Sequence, residues 1–297
     1  MKIKRFGVAV AGLLLAAQLG TAPTASAELY PRMTGTDSQF LVIAHRGFSY
    51  AAPENTLPAI IAAAKANADM VEIDVQRTRD HQLVILHDKT LARTTNVAAV
   101  FPSRARDPIG TFTLAEVKRL DAGSWKGAAF VGTRVPTLDE VLTVLAPTST
   151  NLLLELKNPR SYPGYETQVA QVLKAHRFSQ DHRVYVHSFS APALRSFHAA
   201  APNVPLGLIA KSTPRTLTKF MGEQTFNPQA QSVNDLTVDQ AQGKHLRVFA
   251  WLSKGTPDTA AEIEKLADDG VNGIISDRPD LARAELATSV PSTASLK

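Results

Sequence analysis

From Phe40 onward, short runs of β-branched and other apolar residues alternate with segments whose apolar residues recur at helical spacing. That rhythm is the signature of βα units building a parallel sheet. The strand-like runs are Leu41–Ala44, Met70–Val75, Leu152–Leu156, Val184–His187, Leu206–Ala210, Gln229–Val233, Leu246–Leu252 and Gly273–Ser276. Helical spacing marks Leu57–Ala66, Leu138–Leu145, Tyr165–Ala175, Pro192–Ala200, Val238–Gln242 and Thr259–Asp268. Such a set predicts an α/β fold, a single (β/α)8 TIM-type barrel, and a chain of 297 residues is long enough for it.

One region interrupts the rhythm. After Val75, the turn-forming Arg79-Asp80-His81 leads into the apolar run Leu83–Leu86, which predicts a hairpin on the second strand. The Pro- and Arg-containing stretch that follows, to Gly132, exceeds an ordinary connection, so an inserted segment is expected after the second strand, over about residues 88–134. Such a segment could roof one side of a pocket.

The two ends read differently from the barrel. Lys2, Lys4 and Arg5 precede an apolar stretch from Phe6 to Ala17 and the small-residue site Ala25-Ser26-Ala27, so residues 1–27 read as a signal peptide cleaved after Ala27. That apolar stretch is shorter than the roughly 18 residues a membrane helix needs, and no later segment approaches that length, so no stable membrane anchor is expected. The chain has no cysteine, which excludes a lipidated thiol, disulfides and cysteine zinc sites. The expected product is secreted. Residues 28–39 form a lead-in, 40–286 the barrel domain, and 287–297, rich in Ser, Thr and Ala, a frayed tail. Loss of Lys2, Lys4 and Arg5 lowers the formal charge from +5 to +2, and the remaining cations are scattered among acids, a pattern that argues against a nucleic-acid partner.

The sharpest chemical feature is Val71-Glu72-Ile73-Asp74-Val75. In a strand, the two acids share one face and the three branched residues the other. If the branched face packs on helices, both carboxylates point into the barrel, where like charges must raise a pKa or bind a cation. A solvated edge strand would read the same way, but a strand placed between helices is usually covered on both faces. Glu155, in Leu154-Glu155-Leu156-Lys157, adds a third acid and a cation at a strand end. Glu72, Asp74 and Glu155 would form an all-oxygen site for one divalent cation, Ca2+ in preference to Mg2+ and not zinc. Lys157 would face the anion that this cation binds.

Ile43-Ala44-His45-Arg46-Gly47 ends the first strand with a titratable ring and a guanidinium fork suited to phosphate oxygens. His87 closes the hairpin strand and is the natural counterpart for proton transfer. Pro53-Glu54-Asn55-Thr56 precedes a helix, where Asn55 or Thr56 suffices as a cap, and Glu54 is assigned no catalytic part. Phe189 and Trp251 sit at two more strand ends, where they could line an apolar face of the pocket.

Taken in order, these pieces resemble the glycerophosphodiester phosphodiesterase family. The resemblance is carried by His45-Arg46-Gly47, Pro53-Glu54-Asn55-Thr56, Glu72-Ile73-Asp74-Val75, Leu86-His87-Asp88, Arg93-Thr94-Thr95-Asn96, Val135-Pro136-Thr137-Leu138, Glu155-Leu156-Lys157, Ser188-Phe189, Trp251 and Gly273–Pro279. It implies hydrolysis of glycerophosphodiesters to sn-glycerol 3-phosphate and an alcohol, with a divalent cation. By position, it makes His45 and His87 the acid–base pair, Glu72, Asp74 and Glu155 the metal ligands, and Arg46 and Lys157 the phosphate contacts. Secreted members also trim glycerophosphate from teichoic acid, which makes a teichoic acid end a second candidate partner beside a small diester. Those members often carry His where this chain has Asn55. The competing readings are a barrel phospholipase acting on intact lipid, which would need an apolar rim around the mouth, and a non-catalytic glycerophosphoryl-binding surface protein, which would lack a ligand or a histidine.

Overall fold

The computed structural model describes residues 40–213, 223–253 and 257–289. The expected signal peptide, the lead-in and the last eight residues of the chain lie outside them. In chain order the described elements begin with β1 (Leu41–Ala44), α1 (Leu57–Lys65), β2 (Met70–Arg77), β3 (Leu83–Ile85), α2 (Val97–Val100), α3 (Leu114–Val117) and α4 (Leu138–Leu145). They continue with β4 (Asn151–Leu156), α5 (Tyr165–Ala175), β5 (Val184–Ser188), α6 (Ala191–Ala200), β6 (Leu206–Ala210) and β7 (Glu223–Pro228). The last are α7 (Asp235–Gln242), β8 (Arg247–Trp251), α8 (Ala260–Asp268), β9 (Gly273–Ser276) and α9 (Pro279–Ser289).

The sheet closes because β1 pairs in parallel with both β2 and β9. All strands of the ring are parallel, and β3 is appended antiparallel to β2 as the predicted hairpin. This is the eight-stranded barrel with one extra strand. Its interior follows from the register: Ile43 lies beside both Met70 and Ile275, Leu153 beside Tyr185, and Phe249 beside Gly273. Leu41, Ile43, Met70, Leu153, Tyr185, Phe249 and Ile275 form one buried apolar cluster that plugs the barrel.

The alternate residues face the helices. Val71, Ile73 and Val75 are fully buried in a cluster with Ile60 and Ala63 of α1 and Leu138, Val141 and Leu142 of α4. On the other side, Val248, Ala250 and Ile274 pack with Ala241 of α7 and Ile263 and Leu266 of α8. Both faces of the strands are thus covered, and the acids of β2 are left with the inward face. Local signals place the helices. The Thr137 hydroxyl accepts from the Glu140 amide while the Glu140 side chain returns to the Thr137 amide, a capping box that starts α4.

The segment between β3 and α4 is built from short helical turns and carries its own buried residues, among them Leu91, Val97, Ile109, Phe112 and Val117, which join the main core. Lys126 Nζ donates to the Ser49 carbonyl at 2.8 Å, tying the insertion to the loop that follows β1.

One strand expectation is corrected. Gln229–Val233 is not a strand: Ala230–Ser232 forms a 3-10 turn, and the sixth barrel strand is β7, Glu223–Pro228. Its inward residues, Thr225 and Asn227, are polar yet buried, so the strand lacks the apolar run that marks the others, and Pro228 ends it. The C-terminal helix α9 was also not foreseen, because its apolar residues are mostly alanine and leave a weak periodic signal. Among the described residues, no helix is long and apolar enough to cross a membrane.

Candidate active site

Above the apolar plug the interior turns polar. Register places Asp74 beside Glu155 and Glu155 beside His187, so three ionisable side chains occupy one level across β2, β4 and β5, with Glu72 one step below. All four are almost fully buried. Single atoms of Glu72, Glu155 and His187 lie within 4.8 Å of one another. Glu72 Oε2 also accepts from the Arg46 amide at 2.9 Å, and its Oε1 is 3.8 Å from His187 Nε2, beyond hydrogen-bond reach.

Asp74 is held differently. Its Oδ2 accepts from Asn55 Nδ2 at 2.7 Å, and its backbone amide donates to Asn55 Oδ1 at 3.2 Å. Lys157 Nζ stands 3.4 Å from its Oδ1, and Arg46 Nε 3.5 Å from its Oδ2. Burial alone would raise its pKa, but Lys157, Arg46 and the Asn55 amide outweigh it and hold the carboxyl far below the carboxylate range. Glu155 takes the opposite course. Burial and the neighbouring Asp74 charge push it well above that range, although Lys157 Nζ is 3.0 Å from its Oε1. Buried carboxylates forced together, with the His187 Nε2 unpartnered beside them, leave a deficit of positive charge at one point. A divalent cation fits that deficit, so Glu72, Glu155 and His187 can hold one.

Two further imidazoles stand at the rim, each fixed by a carboxylate. His45 Nδ1 is 2.7 Å from Asp277 Oδ1, which also accepts from Ser49 Oγ at 2.7 Å. His87 Nδ1 is 2.7 Å from Asp88 Oδ1. Engaging Nδ1 leaves Nε2 as the ring nitrogen available for proton transfer. Burial and the Arg46 charge would lower the His45 pKa, but Asp277 and Glu72 outweigh them and raise it. For His87, burial together with Arg46 and Lys157 prevails over Asp74 and Asp88, and its pKa falls.

The second dyad is braced from behind. Arg93 Nε donates to Asp88 Oδ2 at 2.6 Å, its fork clasps Glu54 at 2.6 and 2.7 Å, and Glu54 accepts in turn from the Arg46 guanidinium at 2.8 Å. A continuous chain of hydrogen bonds and ion pairs therefore links His87 to Arg46 through the inserted segment. The backbone at Arg46, Gly47 and Asn55 adopts positive φ. At Gly47 a side chain would meet Ala59 backbone and Cβ atoms at 2.7–2.8 Å, which is why glycine follows the arginine.

Of the residues singled out in the sequence, His45, His87, Glu72, Asp74, Glu155, Arg46 and Lys157 are gathered at this end of the barrel. Phe189 is half-exposed, its ring edge-on to Trp251 with centroids 6.5 Å apart, and Lys157 Nζ lies 5.9 Å from the Phe189 centroid. Asn55 does not cap α1: the capping position is Thr56, without a side-chain cap bond, while Asn55 serves Asp74. Sequence reasoning missed His187, Asn227, Glu54, Arg93, Asp88 and Asp277 as parts of the site. Glu54, Arg93, Asp88 and Asp277 lay inside motifs already singled out, whereas His187 carried no local signal.

The sequence matches the model of the glycerophosphoryl diester phosphodiesterase family over residues 45–281. It is 34% identical over 244 residues to a glycerophosphodiester phosphodiesterase of Caldanaerobacter subterraneus subsp. tengcongensis, covering 81% of this chain and 95% of that protein. A glycerophosphodiester phosphodiesterase of Bacillus subtilis is 32% identical over 262 residues, covering 82% and 85%. Among solved structures, an Oleispira antarctica phosphodiesterase in complex with the product sn-glycerol-3-phosphate aligns with a TM-score of 0.75 and 30% identity, over 85% of this chain and 99% of that one. With a barrel of that shape, a polar cluster at the ends of its strands and a family match spanning nearly all described residues, the chain belongs to the glycerophosphoryl diester phosphodiesterase family and is one of its enzymes.

Proposed function

We propose that the protein hydrolyses glycerophosphodiesters to sn-glycerol 3-phosphate and an alcohol, using a divalent cation at the buried carboxylates and His45 and His87 as the acid–base pair. The observation that carries this reading is the geometry of the rim: two imidazoles, each tied through Nδ1 to its own carboxylate, beside a buried cluster suited to a cation. The product bound by the Oleispira protein supports the glycerophosphate half of the substrate.

When bound, the cation would supply positive charge to phosphate oxygens and to the charge that gathers on them in the transition state. Arg46 and Lys157 extend that field from the chain itself, and both are held in place by Asp74. Hydrolysis needs one group to take the nucleophile's proton and another to protonate the leaving alkoxide. The opposite directions of the two histidine shifts poise His45 as the protonated partner and His87 as the neutral one. Phe189 and Trp251 offer an apolar wall for the glycerol carbons beside Lys157.

The N-terminal sequence supports export with cleavage after Ala27, which N-terminal sequencing of protein recovered from culture medium would test. Export supports glycerophosphate ends of teichoic acid as a further substrate. The activity assay measures released sn-glycerol 3-phosphate from glycerophosphocholine, glycerophosphoethanolamine and teichoic acid, with intact phospholipid alongside, before and after chelation. Release from a small diester, lost on chelation and restored by a divalent cation, is the expected result. Cleavage of intact phospholipid alone, read as released head group or phosphatidic acid, or turnover indifferent to chelation, overturns the proposal.

A further inference from the structure

We propose that the cation site of this chain is not all-oxygen: His187 contributes its Nε2 beside Glu72 and Glu155, so the site prefers Mn2+ or Co2+ to Ca2+. This rests on the reading that the enzyme holds a divalent cation at these carboxylates, and it names the donor set that does so.

The first support is placement. His187 is paired in register with Glu155, faces the interior and is 2% exposed. Its Nε2 has no hydrogen-bond partner and lies 3.8 Å from Glu72 Oε1. A buried ring nitrogen aimed at two carboxylates without touching either leaves a gap of the kind that a shared ion fills.

The second support is what stands behind the ring. His187 Nδ1 is 3.0 Å from Asn227 Nδ2, and Asn227, wholly buried, has an Oδ1 with no partner. An amide's nitrogen and oxygen exchange places by a half-turn that moves nothing else. Turned so, Asn227 Oδ1 accepts from Nδ1–H, and Nε2 is left with a lone pair facing Glu72 and Glu155. That is the tautomer a metal-bound histidine requires, with its other nitrogen donating to a carbonyl. The fold also clears space for this pair. At Gly207, on the strand beside β5, a Cβ would run into Thr225 Oγ1 and approach Asn227 Nδ2 to 3.0 Å and His187 Cβ to 3.1 Å.

The third support is the commitment of Asp74. Its carboxylate accepts from Asn55 and stands within 3.5 Å of both Lys157 Nζ and Arg46 Nε, whereas Glu155 faces Lys157 alone, at 3.0 Å, so Asp74 is the acid whose charge two of the chain's own cations already meet. His187 then takes the place that an all-carboxylate set would give to Asp74. Ca2+ and Mg2+ favour oxygen donors, whereas first-row transition ions accept imidazole, Co2+ more readily than Mn2+, so exchanging one oxygen for a nitrogen moves the preference away from Ca2+.

The test uses the full chain stripped of metal, titrated with Mn2+, Co2+ or Ca2+ alone and without substrate. Pulsed electron paramagnetic resonance of the Mn2+-loaded protein should show nitrogen hyperfine coupling, retained in His45→Ala and His87→Ala and lost in His187→Gln. His187→Gln should weaken Mn2+ binding by about tenfold or more while changing Ca2+ binding little, and the circular dichroism of the stripped variant should match that of the parent. Mn2+ binding without nitrogen coupling in the parent, or with coupling that survives His187→Gln, overturns the proposal and leaves the phosphodiesterase reading intact. If His187→Gln does not fold, coupling retained in both His45→Ala and His87→Ala still assigns the nitrogen to His187, and its loss in either overturns the proposal. Failure of the parent to bind any of the three ions would overturn this proposal and the cation dependence on which it rests.

Discussion

His45 Nδ1 and Asp277 Oδ1 stand 2.7 Å apart, joining the residue that follows the first barrel strand to the residue that follows the last. Barrel closure therefore also orients an imidazole. Asp277→Asn keeps the shape but removes the charge that raises the His45 pKa. If His45 works protonated, the alkaline limb of the kcat/KM profile should move to lower pH in this variant. An unmoved limb would detach His45 from that titration.

The same pair has a stability signature of defined sign. Burial would raise the Asp277 pKa, but the His45 and Ser49 hydrogen bonds outweigh it and depress it to about 2 from its ordinary value of 3.8, so its contribution is present above 3.8 and is lost as pH falls toward 2. His45 is raised above 6.5, so its contribution is full below 6.5 and is lost as pH rises through the higher folded value. The gap in stability between parent and Asp277→Asn should peak between those limits and narrow on both sides. Asp277 is half-exposed, and solvent screening holds the peak to about 1 kcal/mol or less. Urea unfolding at acid, intermediate and alkaline pH checks the shape.

The two histidines should fail as a unit. His45→Ala and His87→Ala should each lower kcat by about 10²–10⁴-fold, with the double variant hardly worse than either single one. A substrate with an acidic leaving alcohol should rescue His45→Ala more than His87→Ala. Rescue of His87→Ala alone would reverse the assigned roles.

Glu155 should give opposite results with and without cation. Its carboxyl is pushed well above the usual range by burial and by Asp74, so its charge costs stability in the metal-free protein. Metal-free Glu155→Gln should melt at or above the metal-free parent. Adding cation at about 100 times Kd should stabilise the parent by about 2.7 kcal/mol and the variant far less. Calorimetric melts with and without cation measure both effects, and equal stabilisation of the two proteins would remove Glu155 from the site.

Gly47→Ala should be disproportionately damaging for a single methyl group. The position has φ +81, and a Cβ there would press on the Ala59 backbone at 2.7–2.8 Å, so a loss of about 1–3 kcal/mol is expected. Because Arg46 precedes it and anchors to Glu72, activity should fall further than stability alone accounts for. Activity measured well below the variant's melting temperature separates the two.

Local periodicity determined a good deal. The alternation in Val71–Val75 assigned the branched residues to the helices and the acids to the interior, and the helices agree because Val71, Ile73 and Val75 need an apolar partner. Strand ends were legible too, so His45, His87, Glu155 and Lys157 could be read as neighbours of one mouth. Period and punctuation, however, describe a strand only along its own length. β7 escaped because its inward residues, Thr225 and Asn227, serve a polar interior and break the apolar run. His187 looked like one more histidine in a strand until register set it beside Glu155 and opposite Asn227. Asp277 meets His45 across 232 positions, and Arg93 reaches Glu54 across 39. Those partnerships depend on which strands close the ring and on how far each is staggered, and both are set by packing the whole barrel at once.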